Sequence, residues 1–557
     1  MKTSFSTPIL RRHWVRCLPL QNIRRISQAA EEYASYSHSK PVVTFEDAGL
    51  RPPLAKAIYT AFPNVKTPTE IQSTLISNVM KGKDIILQDE TGSGKSFGLI
   101  LALLNKPRLA FGSGPRDRKA VTSLVLVPHR DLAFQMLHWI ELIVRASAGT
   151  PPPLSSIAQV LVREGDRHLT EGLPLVRTHP PHILIATPAS VMEVLREDPD
   201  AFRLKELSTV ALDEVDYMIE TLPLNSSNNR RHQQKIQALE KHPGPARALL
   251  AEIYKDRAKL NAGSREVMVD APSHSPQLIM SSATIRRQLK HFFFSEKQYL
   301  NREVVKIRRA VMRLHGQNEL MTDQLAMHSV VSHHVLVASD DGIVNLPSAV
   351  TAEDQGIPRL SFEEPKNVEP LETFPTLSDI DPAVETRSIE FSMTPSPLNQ
   401  NSLEAVAAVF ALDVPSVALL VIPSETSVHR AVYDLREMGV NAHGMDLLVQ
   451  DRGRTYLLKA DAEPSKTNPT LLVCTSSSIR GVDLPALTHV FILGLETLLA
   501  KDNWTLTLDT YIHLCGRVGR FKKHGKVITV VEKKTVSGIE KILSTLDITP
   551  VRFNAFG

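Results

Sequence analysis

The sequence predicts an α/β protein of two tandem blocks, each a parallel sheet covered by helices, with flexible insertions. Three observations predict it. Short apolar runs alternate with longer amphipathic segments, the pattern of strands and covering helices. Most of the runs end in a polar cluster, and open α/β sheets gather ligands at the carboxyl ends of their strands. Two such series occur, one in residues 41–300 and one in 401–557, separated by a basic and then acidic stretch over 301–400. The 557 residues are 42% hydrophobic and 22% charged, as expected of a soluble globular chain. No apolar run reaches the roughly eighteen residues of a membrane span, so none is expected.

In the first block the expected strands are 84–87, 123–127, 182–186, 209–212 and 277–281. The first runs into LQDETGSGKS, ending at Ser96, and then into the apolar helix that begins there. Thr91, Gly92, Ser93 and Gly94 supply a turn whose backbone N–H groups can face phosphate, with the helix N-terminus adding partial positive charge. Lys95 is placed to reach β and γ phosphates and Ser96 to face a magnesium ion. The alternative is a Gly/Ser turn that only caps a helix. The usual phosphate loop starts with a small residue where this chain has Asp89.

LDEVD, Leu212–Asp216, closes the 209–212 run. Alone it would read as an acidic surface turn. After an apolar strand in a chain with a phosphate loop, Asp213 suits magnesium and Glu214 suits a proton acceptor for attacking water. Between these strands, residues 220–275 read as a polar surface insertion with one or two helices.

Residues 286–313 carry nine Lys or Arg against Glu296 and Glu303, and residues 339–390 carry twelve acids with frequent proline. The acidic segment has too little apolar surface to order itself and reads as a flexible insertion. An opening strand of the second block is expected near 329–338, followed by strands at 417–422, 470–474, 489–493 and 526–531.

The net charge of +4 conceals an asymmetry, because residues 1–30 hold six basic residues and no acid. That N-terminus, within a lead of residues 1–40, resembles a mitochondrial presequence more than a secretory signal; a disordered basic arm is the alternative. Cys17, Cys474 and Cys515 show no metal-ligand spacing and read as reduced thiols.

With LQDETGSGKS, LDEVD and SSAT (Ser281–Thr284) in order, the chain resembles the DEAD-box ATP-dependent RNA helicases. The resemblance implies two RecA-like domains binding ATP and Mg2+ between them and RNA across both. Thr67–Gln72 resembles the adenine-recognising Q motif, with Gln72 pairing to the adenine edge and Phe45 as the upstream stacking aromatic. Pro128–Gln135 resembles motif Ia and Thr187-Pro188 the start of motif Ib, so Pro128, Arg130, Thr187 and Pro188 are RNA contacts by resemblance. Thr475–Asp483 resembles motif V, which assigns Thr475 to RNA and Gly481 and Asp483 to nucleotide. Tyr511–Arg520 resembles motif VI, which makes Arg517 and Arg520 arginine fingers and couples His513 to Asp216, Ser282 and Thr284.

Several positions depart from the family: Asp89, Val215 for alanine, Ser476 for the motif V aspartate, Leu514 for the first motif VI arginine, and Ala189-Ser190 for Gly-Arg. No clear double-glycine motif is found, and Gln450, Arg452 and Arg454 match Gln-x-x-Arg only out of register. The resemblance to fungal mitochondrial members implies RNA unwinding or ribonucleoprotein remodelling in the matrix, with large ribosomal subunit assembly intermediates as partners. No DNA specificity is expected. The departures keep a second expectation open, an ATP-regulated RNA clamp with little turnover.

Overall fold

The computed structural model describes residues 43–108, 110–111, 118–163, 173–221, 230–261, 275–301, 303–308, 331–351, 382–445, 469–485, 487–495, 504–519 and 524–556. The basic lead of residues 1–40, the Gln450–Arg454 region and most of the acidic segment lie outside them.

The first half forms β1 (Ile85–Gln88), β2 (Ala110–Phe111), β3 (Arg118–Lys119), β4 (Ser123–Leu126), β5 (Ala158–Leu161), β6 (Ile183–Ala186), β7 (Thr209–Asp213), β8 (Gln277–Ser282) and β9 (Val305–Arg308). β2 and β3 pair only with each other. The others make one sheet ordered β5-β6-β4-β7-β8-β1-β9, with every pairing parallel. β9 pairs with β1, so the first sheet extends past residue 300 into the stretch read from sequence as linker.

The second half forms β10 (Val331–Ser339), β11 (Gly342–Asn345), β12 (Val417–Ile422), β13 (Ala442–Gly444), β14 (Thr470–Thr475), β15 (His489–Ile492) and β16 (Gly525–Glu532). Their order is β11-β10-β16-β15-β12-β14-β13, parallel except for the β10–β11 hairpin. That hairpin and helix Pro382–Met393 give regular structure to both ends of the segment expected to be flexible.

Both sheets are covered on both faces, because their central strands are apolar on both sides. On one face of the first sheet lie helices Glu70–Met80, Lys95–Asn105 and Arg130–Arg145. Thr69 starts the first of these through a capping box with Gln72. Helices Pro188–Glu197 and Pro245–Ile253 cover the opposite face. Phosphate loop, DEVD turn and SSAT turn follow β1, β7 and β8, adjacent strands in the sheet, so all three meet at its carboxyl edge.

The 220–275 insertion is more integral than its polar composition suggests. Helix Arg230–Lys241 is polar and largely exposed, but Leu249, Leu250 and Tyr254 are buried in the core. Arg257 Nη1 meets Asp84 Oδ2 at 2.8 Å with the two side chains 6% and 0% exposed, and the carboxylate also accepts from Leu278 N and Asn301 N. Truncating one member of such a pair leaves the other charge buried and alone. Arg257→Ala is therefore expected to cost about 3–5 kcal/mol, read by urea unfolding of the full chain. Among the described residues no helix is long and apolar enough to cross a membrane.

Candidate active site

The phosphate loop turns through Gly92 and Gly94, whose φ values of 80° and 85° lie in the left-handed region that glycine tolerates. Gly94 is also packed so closely on the Gln72 amide that a Cβ would overlap it. Lys95 Nζ is folded back on the loop and donates to the carbonyls of Asp89 at 2.7 Å and Glu90 at 2.6 Å. Burial lowers the Lys95 pKa, with the charges of Glu214, Asp89 and Asp213 opposing it. An anion in the loop would find a dehydrated ammonium and inward backbone N–H groups.

Asp213 and Glu214 diverge because Glu214 takes φ 56°, ψ 46°, a left-handed conformation that costs a non-glycine residue about 1–2 kcal/mol. Ser96 Oγ donates to Asp213 Oδ2 at 2.5 Å, so the two expected magnesium positions lie together. Burial raises the Asp213 pKa to about 6, and the neighbouring Glu214 charge adds to it. Glu214 Oε2 is buried without a hydrogen bond. A serine hydroxyl and crowded, dehydrated carboxylates form a hard oxygen set that fits Mg2+.

The second half brings its own groups to this site. His513 Nδ1 lies 3.8 Å from Glu214 Oε2, and its Nε2 lies 3.5 Å from Asp216 Oδ2. Asp216 accepts from Thr284 Oγ1 at 2.6 Å and from Ser282 Oγ. Burial opposes its charge, but His513, Arg480 and Ser282 outweigh burial and hold the carboxyl below the ordinary range. The structure thus gathers Asp216, Ser282, Thr284 and His513 into one cluster. Arg517 is buried, donating to Val482 O at 2.6 Å and His513 O at 2.9 Å. Burial lowers its pKa to about 10 and Glu214 opposes that shift.

Glycines allow the two halves to meet here. A Cβ on Gly481 would lie 2.6 Å from Leu132 and 3.3 Å from the Glu214 side chain, and one on Gly516 would overlap Thr91. Arg480, which sequence reasoning did not single out, meets Asp216 at 3.5 Å, donates to Thr510 Oγ1 and lies 4.8 Å over the Tyr217 ring.

Two expected nucleotide contacts are placed differently. Phe45 is 0% exposed, its ring edge-on to Tyr59 in the core, so it supports the wall and presents no free face to a base. Gln72 spends its amide on the chain, accepting from Thr69 N at 2.9 Å and donating to Gly94 O at 3.1 Å. Arg520 lies outside the described residues. Arg130 opens helix Arg130–Arg145 just after Pro128, Thr187 caps a helix whose first residue is Pro188, and Thr475 ends β14. All five residues expected at RNA therefore sit at carboxyl edges of strands, four of them after β4 and β6, which β7 and β8 separate from the phosphate-loop strand β1, and Thr475 at motif V in the second sheet.

Residues 69–292 match the DEAD/DEAH box helicase family and residues 412–522 the helicase conserved C-terminal domain. The chain belongs to the DEAD-box helicases. Curated relatives include the human "Probable ATP-dependent RNA helicase DDX28", 32% identical over 35% of this chain and 34% of that protein. Another is "ATP-dependent RNA helicase cyt-19, mitochondrial" of Neurospora crassa, 29% identical over 37% of this chain and 33% of the relative. The chain thus aligns to about a third of these relatives' length. S. cerevisiae Dbp5 bound to RNA and ADP BeF3 shares the fold, with TM-score 0.53 at 16% identity, covering 92% of this chain and 95% of that one. The two sheets are tandem RecA-like domains.

Against the DEAD-box pattern, the departures have physical counterparts. Leu514 is packed in the core of the second domain, and Ser476 pairs its hydroxyl with Ser424 at 3.0 Å. Asp89 is buried with Oδ2 unpartnered, and its charge is felt by Lys95. A buried carboxylate beside incoming phosphates repels them. Asp89→Ala is expected to tighten ATP binding roughly tenfold, read by titration of the RNA-free protein with a fluorescent ATP analogue.

Proposed function

We propose that the chain is an ATP-dependent RNA helicase that separates or remodels short RNA structures in mitochondria, in assembly of the large ribosomal subunit. One observation carries the enzymatic reading: His513 of the second domain reaches Glu214 and Asp216, and Arg517 lies within electrostatic range of Glu214, beside Lys95 and Ser96 of the first domain. A site built from both domains is complete only when they close. Lys95 and the loop N–H groups hold the phosphates, Glu214 accepts the proton of attacking water, and Arg517 stabilises charge on the transferred phosphoryl group. Mg2+, held by Ser96 and Asp213, supplies charge neutralisation at the phosphates when bound.

RNA is held through phosphates and sugars at the strand edges that carry Pro128, Arg130, Thr187, Pro188 and Thr475. Such a grip reads the 2′-OH rather than sequence, so RNA is preferred to DNA. A strand bent by closure no longer fits a duplex, and hydrolysis lets the domains reopen. Displacement of a short labelled RNA duplex with ATP, and none with the DNA duplex of the same sequence, is the expected result. Equal displacement of both would contradict it.

The mitochondrial reading rests on the acid-free basic N-terminus and on the name of the Neurospora crassa relative. Deleting residues 1–30 is expected to leave the protein cytosolic. Enrichment of large-subunit ribosomal RNA in crosslinks to a Glu214→Gln protein tests the assembly role. The buried Leu514 and Asp89 favour a second reading, an RNA clamp that turns over slowly.

A further inference from the structure

One side chain outside the hydrolytic set, His129, uses one ring nitrogen to cap its own helix and the other to reach the opposing domain. His129 Nε2 lies 2.5 Å from the carbonyl of Arg480, which can only accept, so Nε2 carries the proton. Leu132 N donates to His129 Nδ1 at 3.4 Å, so Nδ1 carries none and the ring caps helix Arg130–Arg145. These two bonds require the neutral imidazole. One turn along the same helix, Gln135 Nε2 donates to Asp483 O at 2.6 Å and Asp483 N donates to Gln135 Oε1 at 2.9 Å. The loop Arg480–Asp483 is thereby pinned at both ends to the helix that begins with Arg130. Between the pins, the Val482 carbonyl holds Arg517.

We propose that His129 is a positioning residue for domain closure, its neutral ring tying the RNA-facing helix of the first domain to the loop that seats Arg517, and making closure proton-sensitive. This inference rests on the helicase reading above. Burial and the two facing guanidinium groups favour the neutral form, and one carboxylate opposes them. Arg480 and Arg517 stand on the opposing domain, and Asp131, 3.9 Å from Nδ1, is the nearby acid. The side chain is 12% exposed. Burial lowers its pKa from 6.5 to about 4 in the closed arrangement, and the Arg517 and Arg480 charges add to that shift against the Arg480 carbonyl bond.

With the ordinary imidazole value of about 6.5 taken for the ring once the second domain has left it, the closed protein keeps it neutral down to about pH 4. Closure therefore expels a proton below 6.5 and weakens as pH falls. Between pH 7.5 and 5.5 the closing equilibrium is expected to drop about tenfold from this residue alone.

The test uses the full chain with AMP-PNP and a labelled single-stranded RNA, measuring RNA affinity by anisotropy at pH 7.5 and 5.5. His129→Asn keeps an N-capping side chain but is too short to reach across to Arg480. Wild type is expected to lose about tenfold more affinity than His129→Asn over that interval. Gln135→Ala, which removes the neighbouring pin without a titratable group, is expected to keep the wild-type pH dependence. His513 is present in all three proteins, so the difference isolates His129. Equal pH profiles for wild type and His129→Asn, or loss of the dependence in Gln135→Ala, would overturn the proposal while leaving the helicase reading standing. Absence of AMP-PNP-dependent RNA binding by wild type at pH 7.5 would overturn both.

Discussion

Arg517→Ala is expected to lower RNA-stimulated ATP turnover by about 10³–10⁵-fold, the effect of removing an arginine finger, while ATP binding changes far less. The guanidinium is supplied by the second domain and is already dehydrated, bonded to two carbonyls and electrostatically coupled to Glu214. In the proposed mechanism it contributes to the transition state only after closure, so the loss should appear in kcat with little change in the ATP concentration giving half-maximal rate. Arg517→Lys should not rescue it, because an ammonium lacks the planar fork that keeps the Val482 carbonyl and the phosphoryl group in reach together. Single-turnover hydrolysis at saturating RNA measures the chemical step directly. A kcat within a few-fold of wild type would remove Arg517 from the reaction.

Glu214→Gln is expected to cost about 10²–10⁴-fold in the same assay. The amide preserves the side-chain volume at a position held in the left-handed region and crowded by Gly481, but it cannot take a proton from water. Nucleotide should still bind, since Lys95 and Ser96 are untouched. The variant should therefore accumulate as a closed complex on RNA, with slow release. The two substitutions differ in this: Glu214→Gln retains the group that stabilises closure, whereas Arg517→Ala loses it.

The central strands were legible because each is a continuous apolar run: β1, β4, β6, β7 and β8 in the first sheet, β12, β14, β15 and β16 in the second. Within the two seven-stranded sheets the strands without a clear sequence signal are β5, β9, β11 and β13, and these four are the sheet edges; the short β2–β3 pair also gave none. Edge strands pack on fewer neighbours and carry polar or charged residues, as in VKIR of β9 and AHG of β13, so no apolar run marks them. The polar insertion hid a core contribution for a related reason. Leu249, Leu250, Tyr254 and Arg257 are few among many exposed charges.

The gathering of Lys95, Ser96, Asp213 and Glu214 at one strand edge was legible because each belongs to a short local pattern. For Phe45, an aromatic residue near a motif carries no information about which way its ring faces; here it faces the core. His129 and Gln135 gave no signal of their own, as their partners lie 351 and 348 residues away. Only the closed packing of two domains joins such positions.

In the proposed mechanism ATP is hydrolysed at a site made of both domains and completed when RNA draws them together. Steady-state ATP hydrolysis by the full wild-type chain, with and without single-stranded RNA, tests it most directly. A low basal rate that rises at least tenfold with RNA and is lost in Arg517→Ala is expected. A rate that is unchanged by RNA and unaffected by Arg517→Ala would contradict it.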